Sequence, residues 1–444
     1  MAEYARIEET GKPKVVIIGG GFAGLELVKS LSNANVQVIL IDKQNYHTFQ
    51  PLMYQVATAG IEADSIIHPF RKIFGSQQNF YFRLAEVERI KPELKVVETS
   101  IGLIRYDYLV IATGATTNYF GDEQMADKAI AMKSVEDAIT LRNTILGNFE
   151  KALQIDDQAQ LNSLMDYVIV GGGATGVELA GALCELRNHV FPKDYPELDF
   201  KSMDIHLIQS GGELLKGMSA EASQKSLQFL QELGVDVILH RRVKSYDGYT
   251  VTLDNGDTLI TRTLIWAAGV TGNPVNGLKP ESILRGNRLL VDEHNRVAGY
   301  DQIFAIGDIA AMVTPENPQG HPMLAQPAMQ QGTLLGKNLV KLAQGQPLEP
   351  FVYHDQGAMA TIGRNKAVAD LILFKKGMKT QGFLAWLIWM FIHLVSIVGF
   401  RNRLVVMMNW CWSYFTYDSG NRLIIGRKQE NAPLAETLQR KTVL

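Results

Sequence analysis

The strongest constraint on this chain is a phrase that occurs twice. Residues 15–18 (VVII) are β-branched and apolar and run directly into Gly19-Gly20-Gly21-Phe22-Ala23-Gly24. LELVKSLSNA then reads as a helix, and VQVILID as a strand ending on Asp42. The grammar returns at 167–186: YVIV, then Gly171-Gly172-Gly173-Ala174-Thr175-Gly176, then VELAGALCEL, with a later strand, DIHLIQS, that carries Gln209. In such a turn the first glycine takes the tight bend, the second leaves room for a diphosphate to approach backbone, and the third lets helix and strand pack closely. The helix that follows offers unpaired N–H groups and the positive end of its dipole to phosphate oxygens. With Gly19 matching Gly171, a separation of 152 residues, the pair reads as a duplicated dinucleotide-binding domain rather than a short repeat.

The strand-end residues differ between the two units. Asp42, eighteen residues beyond Gly24, suits the acid that accepts a hydrogen bond from a ribose hydroxyl. Gln209 stands where the second unit would carry Asp or Glu. An amide neither accepts as strongly as a carboxylate nor repels a 2′-phosphate, which predicts weak discrimination between NADH and NADPH. Glu178, two residues after Gly176, has two readings: an acid favoured by the helix dipole, or a carboxylate near the contact of nicotinamide and flavin.

Further apolar strands end in small residues, YDYLVIATGA (106–115), TLIWAAGV (263–270) and IFAIGDIA (303–310), where backbone must come close to a ligand. The expected fold is therefore α/β with two Rossmann-type domains. The first spans 1–125 and returns at 296–345, the second spans 126–295, and 346–444 forms an apolar helical C-terminal region. A chain of 444 residues is long enough for this plan.

Charge and cysteine content remove several function classes. A net charge of −3 and no basic stripe in the first 360 residues argue against nucleic acid. The only cysteines, Cys184 and Cys411, form no CxxC pair, which argues against a disulfide scaffold and against a redox dithiol. No His/Cys/Asp group has metal-ligand spacing, and His47 and His393 read as hydrogen-bonded structural histidines rather than relays. The charged start MAEYARIEETGKPK lacks a signal-type apolar segment, so the body is expected in the cytoplasm.

The tail has its own texture. FLAWLIWMFIHLVSIVGF (383–400) is eighteen residues without a formal charge, followed by Arg401-Asn402-Arg403 and LVVMMNWCWSYFTY. Ten Lys/Arg against two acids between Arg364 and Lys428 give a local balance of +8. As one helix the apolar run would reach about 27 Å, the lower edge of what crosses a bilayer. His393, Ser396 and Gly399 interrupt it, and Trp410 and Trp412 suit a headgroup interface. On composition alone, spanning the bilayer, lying on it and pairing with a second copy all stay open.

The segments GGGFAGLE, YHTFQPLMYQVATAG (46–60), YDYLVIATGA, VIVGGGATGVELAGAL, TLIWAAGV, FAIGDIA and AQPAMQQG (325–332) together resemble the membrane-associated type II NADH dehydrogenases, over about residues 14–428. The resemblance implies that Gly19, Gly21, Gly24, Asp42, Lys43, Thr113, Gly114 and Asp308 line FAD. It also implies that Gly171, Gly173, Gly176, Glu178, Gln209 and Gly269 line the nicotinamide cofactor. Gln326 and Gln330, with Ala325 and Gly332 allowing close approach, would sit on the quinone side of the isoalloxazine, and Met329 would only pack. The implied activity passes reducing equivalents from NADH, with NADPH admitted, through FAD to a membrane quinone without proton pumping. The implied place is the bilayer surface on the cytoplasmic side of the inner membrane, anchored monotopically, with a homodimer by analogy. The rival readings are a sulfide:quinone oxidoreductase, for which Cys184 and Cys411 are poorly placed, a soluble ferredoxin or rubredoxin reductase, and a membrane-associated nicotinamide sensor.

Overall fold

A computed structural model describes residues 3–373, 376–418 and 420–426. Its centre is a pair of five-stranded parallel sheets built on one plan. The first runs in the order Ile303–Ala305, Tyr108–Ile111, Lys14–Ile18, Gln37–Asp42, Phe80–Leu84. The second runs Ile130–Ala131, Thr263–Trp266, Tyr167–Val170, Ile205–Gln209, Asp236–Leu239. Residues 15–18 and 167–170 are buried, as continuous apolar runs in a parallel sheet must be.

The first sheet takes its outer strand from far along the chain: Ile303–Ala305 pairs with Tyr108–Ile111. Ile130–Ala131, ahead of the second glycine turn, pairs with Thr263–Trp266. All five strands of the second sheet therefore lie, in sequence, between Tyr108–Ile111 and Ile303–Ala305 of the first.

Both glycine turns lead into helices, Phe22–Ser30 and Ala174–Glu185. A third long helix, Ala325–Ala343, lies along Phe22–Ser30 and is held there by small residues. A Cβ on Gly332 would come 2.3 Å from the Ala23 carbonyl oxygen, and one on Gly336 would meet Ser30.

The C-terminal part begins with a three-stranded antiparallel sheet, Gly357–Thr361, Ala367–Leu373 and Lys376–Gln381. Two helices follow, Phe383–Ser396 and Phe400–Thr416. The apolar run of 383–400 is therefore not one helix. It breaks at Ile397, which is extended, and at Gly399, whose φ of +88° a residue with a side chain rarely adopts. Fourteen residues of helix reach only about 21 Å, and among the described residues no helix is long and apolar enough to cross a membrane. Asn402 pins the second helix, donating to the carbonyls of Asp64 and Ile67.

Candidate functional site

The two glycine turns have the same geometry. Gly19 and Gly171 have φ of +102° and +114°, and a Cβ on either would press into the Ala112 or Ala267 carbonyl. Gly24 and Gly176 back onto those first glycines: a Cβ would meet the carbonyl oxygen of Gly19 at 2.0 Å or of Gly171 at 1.9 Å. At the middle glycines, Gly21 and Gly173, a Cβ would meet nothing within 4 Å. Each turn thus presents bare backbone to open space while its other two glycines are locked inward.

The helices starting at these turns have no side-chain cap and no acid in their first turn. By contrast, Val135–Ala152, Gln158–Met165 and Ala220–Leu233 are capped by Ser134, Asp157 and Ser219. An uncapped helix start leaves N–H donors free for an anion. Ala325–Ala343 also begins uncapped, at Leu324. The donor set therefore suits two diphosphate-bearing nucleotides, and a third helix start aims its free N–H groups from Ala325 and Gln326.

Asp42 and Gln209 hold their turns in the same way. Asp42 Oδ2 accepts from the Gly20 N–H at 2.6 Å and Oδ1 from the Gln44 N–H at 2.8 Å. Gln209 Oε1 accepts from the Gly172 N–H at 3.0 Å, and its Nε2 donates to the Glu213 carbonyl at 3.3 Å. Burial raises the Asp42 pKa, and the Gln44 and Gly20 donors pull it back. The exposed Lys43 adjoins Asp42. Around the first turn, Thr113 Oγ1 donates to the Asn273 carbonyl, Gly114 takes φ +67°, and Asp308 stands 3.9 Å from Lys133. Burial also raises the Asp308 pKa, opposed by the charges of Lys133 and Arg288. Gly269, φ +75°, lies on the rim of the second turn against the Phe120 ring.

Glu178 departs from its reading as a first-turn acid held by the helix dipole. The helix starts at Ala174, so the residue is past the first turn, and it is buried. Burial pushes its pKa up to about 8, opposed by the Thr361 N–H at 3.4 Å and by Trp389. The Trp389 indole N–H does not reach hydrogen-bonding geometry and has no partner. Glu178 lines a cavity of about 140 Å³ with Tyr54, Gln55, Glu185, Arg364, Trp389 and Trp410. Sequence reasoning missed this cavity because it gathers four distant segments; the only signal was the cluster of tail tryptophans.

The quinone-side residues separate. Gln326 stays near the free helix start, but the Gln330 amide is tied at both ends to His354, donating to its carbonyl at 2.9 Å and accepting from its N–H at 3.0 Å. Gly332 packs against Ala23, where a Cβ would crowd the carbonyl oxygen. The glutamine that reaches the Gly307-Asp308 turn is the buried Gln331, whose Oε1 accepts from the Gly307 N–H at 2.7 Å. His47 and His393 each face a backbone carbonyl, of Gly20 and Trp389. Burial lowers both to about 4, so both are neutral at pH 7. Cys184 is buried with its thiol pushed up to about 11, and Cys411 is exposed. Asp292, Glu293 and His294 bring ligand-type atoms within 4.8 Å of one another, but Asp292 Oδ1 is taken by the N–H groups of His294 and Arg296.

This geometry has known counterparts. Residues 13–332 match the pyridine nucleotide-disulphide oxidoreductase family model, and 355–416 match the NDH2 C-terminal domain. The type II NADH:quinone oxidoreductase of Mycobacterium tuberculosis is 34% identical over 436 residues, covering 94% of this chain and 92% of its own. The chain belongs to the type II NADH:quinone oxidoreductase family. The Haemophilus influenzae member is 30% identical, over 80% of this chain and 86% of its own. NDH2 from Plasmodium falciparum, solved with NADH, superposes with a TM-score of 0.83 at 21% identity, over 94% of this chain and all of that one. The sulfide:quinone oxidoreductase of Aquifex aeolicus shares the fold at TM-score 0.67 and 19% identity, over 97% of this chain and 96% of that one.

Proposed function

We propose that this chain oxidises NADH with FAD and reduces a quinone, without moving protons across the membrane. The observation that carries the reading is the pair of open glycine turns, each with an uncapped helix behind it, in a chain that belongs to this family along nearly its whole length. When bound, FAD supplies a two-electron carrier between dihydronicotinamide and quinone.

The chain's own groups bind, orient and shield. Gly19, Gly21 and Gly24 seat the first diphosphate on the Phe22–Ser30 helix start, and Gly171, Gly173 and Gly176 seat the second on Ala174–Glu185. Asp42 fastens its turn and offers acceptors to a ribose, with Lys43 at its side; Thr113, Gly114 and Asp308 border the same nucleotide. Gln209 and Gly269 border the other. Glu178, its pKa pushed up to about 8 by burial, holds a proton at pH 7 in the cavity it lines. The helix start at Ala325 and Gln326 directs free N–H donors toward the quinone side. Gln330 acts one step removed, by fixing the 354 segment.

Membrane attachment is the second part of the proposal. Leu384, Leu387, Phe391 and Val395 form one exposed stripe, and Phe400, Leu404, Met408, Trp412 and Phe415 another, with Phe391 66% and Phe415 82% exposed. Arg401 and Arg403 are exposed beside them. Apolar stripes with flanking cations fit an anionic bilayer surface, entered from the cytoplasmic side. Replacing Phe391, Trp412 and Phe415 by Ser is expected to move the protein from anionic vesicles to the supernatant. Vesicle binding unchanged by the triple variant would overturn the anchor, and a shift to a smaller assembly would assign the face to a second copy.

The central test is anaerobic absorbance of the detergent-held holoprotein. NADH should bleach the flavin band, and a short-chain quinone should restore it within the turnover time. Bleaching without recovery on quinone would instead favour the soluble-partner reductase or the sensor.

A further inference from the structure

We propose that the second nucleotide unit carries a cationic subsite for the 2′-phosphate of NADPH, centred on Arg241, so that the enzyme takes both nicotinamide dinucleotides. The inference rests on the second glycine turn being the nicotinamide site and names the ligand chemistry of its adenosine end.

Three observations carry it. First, the oxygen of Gln209 accepts from the Gly172 N–H and one amide hydrogen goes to the Glu213 carbonyl, so the group left at the strand end is the second amide N–H, which donates. Asp42, in the same position of the first unit, leaves a carboxylate there. A donor welcomes a phosphate oxygen, and a carboxylate repels it.

Second, the neighbouring strand end has the opposite charge in the two units. Strand Phe80–Leu84, paired with Asp42, runs on into Ala85-Glu86. Strand Asp236–Leu239, whose Leu239 pairs with Gln209, runs on into His240-Arg241-Arg242. These residues are fastened beside the turn. The Arg241 N–H donates to the Gln209 carbonyl at 3.2 Å, the His240 N–H to the Gly211 carbonyl at 3.1 Å, and the Arg241 Nη1 to the His240 carbonyl at 2.9 Å. His240 holds φ +58°, an unusual conformation for a side-chain-bearing residue, which lays its ring over Gly212.

Third, among the described residues no carboxylate stands at ion-pair distance from Arg241 or Arg242. The loop across from them, Ser210-Gly211-Gly212, is small and uncharged until Glu213, which is exposed and meets Gln209 through its backbone carbonyl. Half-buried Arg241 therefore keeps guanidinium donors for a phosphate, with Arg242 and His240 flanking it.

The test uses the detergent-held holoenzyme and two readouts. Calorimetric titration compares adenosine 2′,5′-bisphosphate with AMP, and stopped-flow bleaching of the flavin gives the NADPH to NADH ratio of kcat/KM. In the wild type the bisphosphate should bind about tenfold more tightly than AMP, and that gap should close in Arg241→Ala and be partly kept in Arg241→Lys. Gln209→Glu should lower the NADPH to NADH ratio about a hundredfold, and added salt should lower it in the wild type. Equal binding of the two nucleotides, or negligible bleaching by NADPH where NADH bleaches fully, would overturn the subsite. If NADH itself fails to bleach the flavin, the dinucleotide reading of the second turn fails instead, and the two failures are distinct.

Discussion

The two nucleotide units match in backbone and differ at one strand edge. Both lock a first and a third glycine against neighbouring carbonyls, both leave the middle glycine bare, and both use the strand-end side chain to hold the next backbone N–H. One fills that role with a carboxylate beside Ala85-Glu86, the other with an amide beside His240-Arg241-Arg242. The backbone job needs only an acceptor oxygen, which Asp and Gln both supply, so the turn folds either way. What the ligand meets is the remaining atom, and there an oxygen and an NH₂ have opposite preferences. A glycine motif therefore defines a diphosphate seat, while the strand edges beside it choose the nucleotide.

Substitutions at the third glycines should separate the units most sharply. Gly24→Ala sets a Cβ 2.0 Å from the Gly19 oxygen and is expected to yield colourless protein, read as the ratio of flavin to protein absorbance. Gly176→Ala, with its clash at 1.9 Å, should leave the protein yellow but slow NADH bleaching by two orders of magnitude or so, about 3 kcal/mol. Equal loss of flavin in both would mean that the units do not fold independently enough for the comparison to hold.

A smaller effect is expected at the buried carboxyl of Glu178, on the helix of the second unit. Glu178 has a folded pKa raised to about 8 from 4.5, so the native state binds its proton more tightly than the unfolded chain. Its contribution to stability is present at low pH and declines as pH rises from about 4.5 through 8. Glu178→Gln, which cannot ionise, should lose less melting temperature than the wild type between pH 6 and pH 9. Identical pH profiles in the two proteins would remove the buried-carboxyl account.

The mildest change is Asp42→Asn. It keeps an acceptor for the Gly20 N–H but loses charge, and should weaken FAD retention by about tenfold, near 1.4 kcal/mol, measured by flavin release on dilution. An unchanged release would show that the carboxylate's second oxygen does not matter, and with it the contrast with Gln209.

Much of this was legible in the sequence because it is local. Gly24 and Gly176 do their work against Gly19 and Gly171 of the same turn, so spacing alone reports them, whereas the Ala112 and Ala267 carbonyls that confine the first glycines arrive from a neighbouring strand. Gln209 could be placed by its strand, and IFAIGDIA announced the returning strand. The roles of Gln330 and Gly332 were not legible: both sit in AQPAMQQG, yet one ties down His354 and the other packs on Ala23, and no local pattern says which way a helix face will turn.

By itself, then, the sequence determined the two nucleotide seats, their order and the amphipathic tail, since turn geometry and hydrophobic period are short-range properties. Tertiary structure alone decided the rest. It broke the apolar run at Gly399, where His68 packs from a segment more than three hundred residues away. It raised the Glu178 pKa by closing Tyr54, Trp389 and Thr361 around it, and it set Arg241 beside Gln209 through parallel pairing of two strands. Burial and the field at a site depend on which distant segments arrive there, and that is fixed only once the whole core has packed.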